Sequence, residues 1–315
     1  MTVEITDRIV ATRGVELAVL DAGSGPPVVL AHGFPELSYS WRHQLPVLAE
    51  HGYRVLVPDQ RGYGRSSCPP RVEDFDIECL TGDLLALLDD IGEERGVFVG
   101  HDWGAIVVWN LALLAPERVA GVVGISVPMI ARPPMPPIQM LRQVLGDAFF
   151  YMVYFQEPDR PELDLGRDPA RTMRRLLAAR MPDDGAIDPS FLANDGRGFV
   201  DRIPEPEGLP AWLSQAELDH FVAEFTRTGF GGGINWYRNL DRNWSLTEHV
   251  DGHHVTAPAL FIGGSRDPVL TMSPPESARP LLDDDRGLIL VDGAGHWVHQ
   301  EEPDAVNGAL LAFLD

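Results

Sequence analysis

The stretch VFVGHDWGAIVVW, Val97 to Trp109, decides the fold. A short apolar, β-branched run ends at Gly100, and an apolar helical run begins at Trp103. Between them, Gly100-His101-Asp102-Trp103-Gly104 has the glycine-x-nucleophile-x-glycine spacing of a nucleophile elbow, with aspartate where serine is usual. A strand-to-helix turn this sharp crowds the positions flanking the nucleophile, which glycine tolerates, and leaves the nucleophile projecting at the sheet edge. Asp102 then stands at a helix N-terminus, where backbone N–H groups and the helix dipole keep it ionised and able to attack. A plain glycine turn with an N-capping aspartate fits the same five residues. The choice falls to the rest of the chain.

With 315 residues, 44% hydrophobic and 23% charged, there is room for a core domain carrying an insertion. No apolar run reaches the roughly 18 residues that span a bilayer. Met1 to Arg8 lacks a basic segment followed by an apolar one, so no signal peptide is read and a cytoplasmic location is expected. Cys68 and Cys79 are too few for a disulfide framework or a metal cage. The balance of 25 basic against 47 acidic residues gives a net charge of −22. Such a surface repels phosphate backbones and anionic lipid, so neither nucleic acid nor membrane is expected as a partner. Every basic residue is arginine, which removes Schiff-base chemistry and the phosphate-binding lysine of a P-loop.

Along the chain, residues 3–20 read as two strands joined at Arg13 and Gly14. Val28 to Ala31 is a short buried strand ending in His32-Gly33-Phe34-Pro35, and Leu37 to Glu50 is amphipathic and helical. Tyr53 to Asp59 is the next strand, followed by a glycine-rich loop to Ser66 and a helix from Ile77 to Ile91. The strand at 97–101, a helix at 103–115 and a strand at 119–127 complete the first part. Strands alternating with helices imply a mostly parallel α/β sheet, whose chemistry lies beyond the carboxyl ends of its strands. At Pro128 the pattern changes. Ala131 to Ile138 is proline-rich, and no convincing strand follows until Pro258 to Gly264 and Gly287 to Asp292. A helix from Ala305 to Leu314 closes the chain. The expected division is a core at 1–128, a helical cap at 129–245 and the rest of the core at 246–315.

Two further loops follow strands in the second core part. Asp267 lies in Gly263-Gly264-Ser265-Arg266-Asp267-Pro268 and His296 in Asp292-Gly293-Ala294-Gly295-His296-Trp297. Nucleophile, acid and histidine in that order is the α/β-hydrolase order, with Asp102, Asp267 and His296 as the expected triad. Asp292, also at a strand end, is the second choice for the acid. His253, His254 and His299 have no carboxylate or cysteine at a persuasive metal-ligand spacing, so no metal is expected. His32 and His101 read as supports for loop backbone, and Gly231 to Gly233 as a tight turn.

The chain resembles the epoxide hydrolases of the α/β-hydrolase superfamily, of the soluble type with a helical cap. The resemblance is carried by HGFPE at 32–36, SWRHQ at 40–44, DQRGYGRS at 59–66 and GHDWGA at 100–105. Within the insertion it rests on YMVYFQEP at 151–158 and INWYRN at 234–239, and near the end on Gly295-His296-Trp297. Nearly the whole chain is covered. It implies a reaction needing water and no cofactor, a cis peptide at Phe34–Pro35, and Tyr151 with Tyr237 as the ring-opening acids.

The chemistry accounts for these residue types. Attack on an sp³ epoxide carbon by serine would leave an ether that water does not readily cleave, whereas aspartate leaves an ester that it does. His296, oriented by Asp267, takes a proton from the water that attacks this ester. The oxyanion needs two donors, and the backbone N–H groups of Phe34 and Trp103 are the candidates. The leaving alkoxide needs a proton, which a phenol with a pKa of about 10 supplies at neutral pH. Tyr151 and Tyr154 share a helix face at i and i+3, so both are candidates beside Tyr237. A dehalogenase forms the same aspartyl ester but needs N–H donors for halide. Here Phe34 stands where the haloalkane type often has Asn, and Trp103 where the fluoroacetate type has Arg. A non-catalytic binding module on this scaffold is the alternative of another class. The apolar, aromatic cap favours a lipophilic epoxide as the substrate.

Overall fold

The computed structural model describes residues 3–179 and 189–315. Eight strands form one sheet in the order β1-β2-β4-β3-β5-β6-β7-β8. These are β1 (Ile5–Ala11), β2 (Glu16–Gly23), β3 (Pro27–Ala31), β4 (Arg54–Pro58), β5 (Gly96–His101), β6 (Val119–Ile125), β7 (Val255–Gly264) and β8 (Leu282–Val291). β1 pairs with β2 and β2 with β4 antiparallel, and the remaining pairings are parallel.

The two-residue period of the strands sends alternate side chains to opposite faces. Val29, Ala31, Leu56, Phe98 and Val122 join one buried cluster with residues of α2 (Ile77–Asp90) and α3 (Trp103–Leu114). Val28, Leu30, Val55, Val57, Val99 and Val123 join another, covered by α1 (Gln44–Glu50) and, at the end of the chain, the terminal helix Pro303–Leu314. Burial on both faces is why the central strands read as continuous apolar runs.

Among the described residues, no strand lies between β6 and β7. Helices fill that interval: α4 (Pro137–Leu145), α5 (Tyr151–Tyr154), α6 (Arg160–Gly166), α7 (Pro169–Ala178), α8 (Gln215–Thr228), α9 (Gly231–Arg238) and α10 (Leu240–Leu246). After β7 come α11 (Pro268–Met272), α12 (Val298–Glu301) and the closing helix, α13. The helical cap is therefore an insertion into the α/β-hydrolase core. No helix of the described residues is long and apolar enough to cross a membrane.

Three expectations change. The run Leu37 to Glu50 is a 3₁₀ turn, Ser38–Trp41, followed by the separate helix α1, with Asp59 accepting from both the Ser38 N–H and its hydroxyl. β8 begins at Leu282, earlier than its apolar residues suggest, because an acidic run, Asp283 to Asp285, occupies its first half at the sheet edge. Gly231 to Gly233 is the first turn of α9 and not a loop. A Cβ on Gly232 would meet the Gly62 carbonyl oxygen at 2.2 Å, and one on Gly233 the Tyr63 hydroxyl at 2.4 Å and Phe34 at 2.6 Å. These glycines let a cap helix close directly onto two core loops.

Candidate active site

The elbow follows β5. Asp102 adopts φ +52°, a left-handed backbone that is costly for a residue with a Cβ. Glycine is required on both sides: a Cβ on Gly100 would lie 2.2 Å from the Gly104 carbonyl oxygen, and one on Gly104 would lie 2.0 Å from that of Ala31. Although Asp102 occupies the N-cap position of α3, its carboxylate makes no capping bond. Instead Asp102 Oδ1 accepts the Phe34 N–H at 2.8 Å, across from the end of β3. That contact distinguishes the elbow from an ordinary capped turn. The Phe34–Pro35 peptide is cis. The Trp103 N–H is among the first in α3, where no carbonyl within the helix can receive it.

His296, on the loop after β8, places Nε2 3.6 Å from Asp102 Oδ2 and Nδ1 2.9 Å from Asp267 Oδ2. Asp267 is itself buried, and its other oxygen accepts the Val269 N–H at the start of α11. Asp292 is exposed, and its carboxylate accepts from the Ser265 hydroxyl. Burial alone would lower the His296 pKa, but the charge of Asp267 and the hydrogen bonds and charge of Asp102 outweigh it, holding His296 well above its ordinary value.

Tyr151 and Tyr237 close the site from the cap. Their rings lie 5.7 Å apart, and Tyr237 packs edge-on against both Phe34 at 5.4 Å and Trp103 at 5.0 Å. Burial, followed by the negative charge of Asp102, raises the pKa of both phenols. Both phenols therefore hold their protons within the field of the Asp102 carboxylate. Tyr154 points elsewhere, its hydroxyl donating to Asp164 Oδ2 at 3.2 Å with the Arg160 guanidinium over its ring. Phe155 and Phe199 pack around Tyr151, so the wall between the tyrosines is aromatic.

The comparisons with known proteins agree with this arrangement. Residues 26–303 match the α/β hydrolase fold family. Epoxide hydrolase A of Mycobacterium tuberculosis is 55% identical over 312 residues, covering 98% of this chain and 97% of the relative. The chain belongs to the epoxide hydrolases of the α/β-hydrolase fold. Epoxide hydrolase 1 of Siraitia grosvenorii is 37% identical over 99% of this chain and 98% of its own. The crystal structure of epoxide hydrolase A from Mycobacterium thermoresistibile superposes with a TM-score of 0.96 at 55% identity, covering 99% of this chain and 98% of that one.

In this epoxide hydrolase one group of residues escaped the sequence reading. Glu36, His101 and His299 offer ligand atoms within 4.8 Å of one another, all fully buried, although no local spacing links them. Glu36 and His101 are hydrogen-bonded, and His299 places Nε2 3.3 Å from Glu36 Oε1. Glu36 Oε2 accepts from the Gly33 N–H at 2.8 Å and from His101 Nδ1 at 2.6 Å, while Oε1 accepts from Gln300 at 3.1 Å. Burial opposes the Glu36 charge, but the two histidines hold its pKa well below the ordinary value. Burial and the neighbouring His101 push His299 down to about 4. His101 Nε2 then donates to the backbone carbonyl of His296 at 2.8 Å. The network ties the Phe34 loop to the loop that carries His296. His32 supports loop backbone as expected, its Nε2 accepting the Gln60 N–H at 2.9 Å.

Proposed function

We propose that the enzyme adds water to a lipophilic epoxide in two steps, with residues 129–245 acting as the lid that shapes the pocket. Asp102 Oδ2, the oxygen not engaged by Phe34, attacks a ring carbon, and the C–O bond of the epoxide breaks. Tyr151 and Tyr237 donate to the departing oxygen, which leaves as a hydroxyl on the ester. A water whose proton passes to His296 then attacks the ester carbonyl of Asp102. The oxyanion forms on Oδ1, facing the N–H groups of Phe34 and Trp103. Its collapse breaks the bond between the carbonyl carbon and Oδ2, the remaining water proton goes to the departing oxygen to give the diol and the carboxylate, and the proton on His296 returns to the tyrosinate.

The electrostatics fit this order. In the free enzyme two carboxylates hold a proton on His296. Esterification removes the charge of Asp102, so His296 releases that proton more readily and can serve as base. The observation that carries the reading is the tyrosine pair facing Asp102 from an aromatic lid. An alkoxide needs a proton donor, and a halide does not.

Intact-protein mass of His296→Gln after exposure to aryl and alkyl epoxides, with haloalkanes in parallel, tests the reading. Loss of the base leaves ring opening possible and stalls ester breakdown, so the expected gain equals the whole epoxide and is absent in Asp102→Ala. A gain of the alkyl group without halogen, seen only with haloalkanes, would make the protein a dehalogenase. No adduct in a folded variant and no diol from the wild type would leave a binding module.

A further inference from the structure

Among the described residues, three other than glycine have positive φ: Asp102, Ser126 and Asp159. Ser126 follows β6, is fully buried and holds φ +65°. A left-handed backbone is disfavoured for a residue with a Cβ, so the surroundings must enforce it. They do so through contacts with all three catalytic loops. The Asp102 N–H donates to the carbonyl of Ile125 at 3.2 Å, and the Ser126 N–H donates to the carbonyl of Ile262, on the strand leading to Asp267, at 2.9 Å. The Ser126 hydroxyl donates to the backbone carbonyl of His296 at 2.7 Å. That carbonyl also accepts from His101, so two donors pin the base's main chain directly beneath its imidazole.

We propose that Ser126 is a positioning residue for ester breakdown, its hydroxyl fixing His296 at the distance from Asp102 that places the attacking water. The inference rests on the two-step mechanism above. Ring opening uses a carboxylate that is already ionised and does not need His296 as a base. Water activation does, and it is sensitive to sub-ångström placement of the imidazole. Ser126 therefore acts on the second step alone.

The test is single-turnover and steady-state kinetics of Ser126→Gly and Ser126→Ala on one aryl epoxide, beside the wild type and His296→Gln. Glycine removes the hydroxyl and relaxes the left-handed backbone, so folding is protected. Alanine removes the hydroxyl and keeps the backbone constrained. In both, ester breakdown is expected to slow by about tenfold, the size of a lost buried hydrogen bond, with covalent enzyme accumulating. Because the second step then limits turnover, kcat and KM fall together while kcat/KM stays within about twofold. A merely structural role would lower the active fraction and leave KM unchanged. Ester breakdown at the wild-type rate in the glycine variant overturns the proposal, as do equal falls in kcat and kcat/KM without accumulation. If the ester mechanism itself is wrong, His296→Gln traps no adduct. If only the role of Ser126 is wrong, that adduct forms while both Ser126 variants turn over normally.

Discussion

Tyr151 and Tyr154 stand three residues apart on one short helix, yet their hydroxyls meet different charges. Tyr154 is committed to Asp164, whereas Tyr151, half-buried, lies within the field of Asp102 and Asp267. Sequence spacing leaves the two equivalent, since i and i+3 share a face, and only the position of Asp164 separates them. Replacing Tyr151 or Tyr237 by phenylalanine is expected to slow ring opening by about tenfold to a hundredfold each, and the double substitution by about a thousandfold, the range of a general acid. Tyr154→Phe should stay within about threefold, and stopped-flow measurement of ester formation decides the matter. The pH dependence divides by step. Both phenols titrate above their ordinary value, so ring opening should show no loss attributable to them up to about pH 10. Ester breakdown should instead rise with pH as His296 loses its proton, since only the neutral ring accepts one from water. Single-turnover rates across pH would reveal an error in either sign.

At the scale of elements, the runs that were legible are those buried on both faces. β3, β5 up to Gly100 and the middle of β7 announce themselves because they carry no charged or polar side chain. The first half of β8 does not, since an edge strand tolerates Asp283 to Asp285. The elbow and the loops that carry Asp267 and His296 could be read because each follows a strand with an apolar run. Glu36, His101 and His299 could not, because their meeting depends on the loop after β3, the end of β5 and α12 converging. Ser126 gave no signal, since nothing in its neighbours marks a positive φ. The contact of α9 with the core was also hidden, and it makes a prediction. Gly233→Ala would drive a Cβ into Tyr63 and Phe34, displacing the helix that carries Tyr237 from the loop that carries the Phe34 N–H. Overpacking of this kind costs about 1–3 kcal/mol, so thermal denaturation should move down by several degrees and kcat/KM should fall with it. Gly231→Ala, whose Cβ would sit 3.6 Å from Glu162, serves as the tolerated comparison. A Gly233→Ala enzyme indistinguishable from it would show that the close approach is not needed.

Across the whole molecule, cap and core share one interior. A single buried cluster runs from Val10 and Leu17 through α2 and α3 to Phe155, Met173, Phe221 and Trp236 of the cap. Polar ties follow the same seam. Trp236 Nε1 donates to the Arg61 carbonyl at 3.2 Å, and the Ile77 N–H donates to Asn243 at 2.8 Å. Arg42 pairs with Glu217 on α8 at 2.7 Å, and it also donates to Gln300, which holds Glu36. Trp297, beside the base, donates to the Leu176 carbonyl of α7 at 3.3 Å. An inserted domain with a small polar interface would be expected to melt separately, but the cap's buried residues belong to a cluster shared with one face of the sheet, which leaves the cap no core of its own, while the cluster on the other face belongs to the α/β core alone. Heat or denaturant should therefore unfold cap and core in one transition. Near-ultraviolet dichroism reports the packed aromatic side chains of cap and core, far-ultraviolet dichroism the whole backbone, and residual activity the closed site; their midpoints should coincide. Loss of activity with only part of the near-ultraviolet signal, well before the far-ultraviolet midpoint, would mean that the lid detaches from a core whose Trp41, Trp103 and Trp109 stay packed. The tyrosines proposed as ring-opening acids would then be supplied only by the closed form, and KM as well as kcat would depend on that equilibrium.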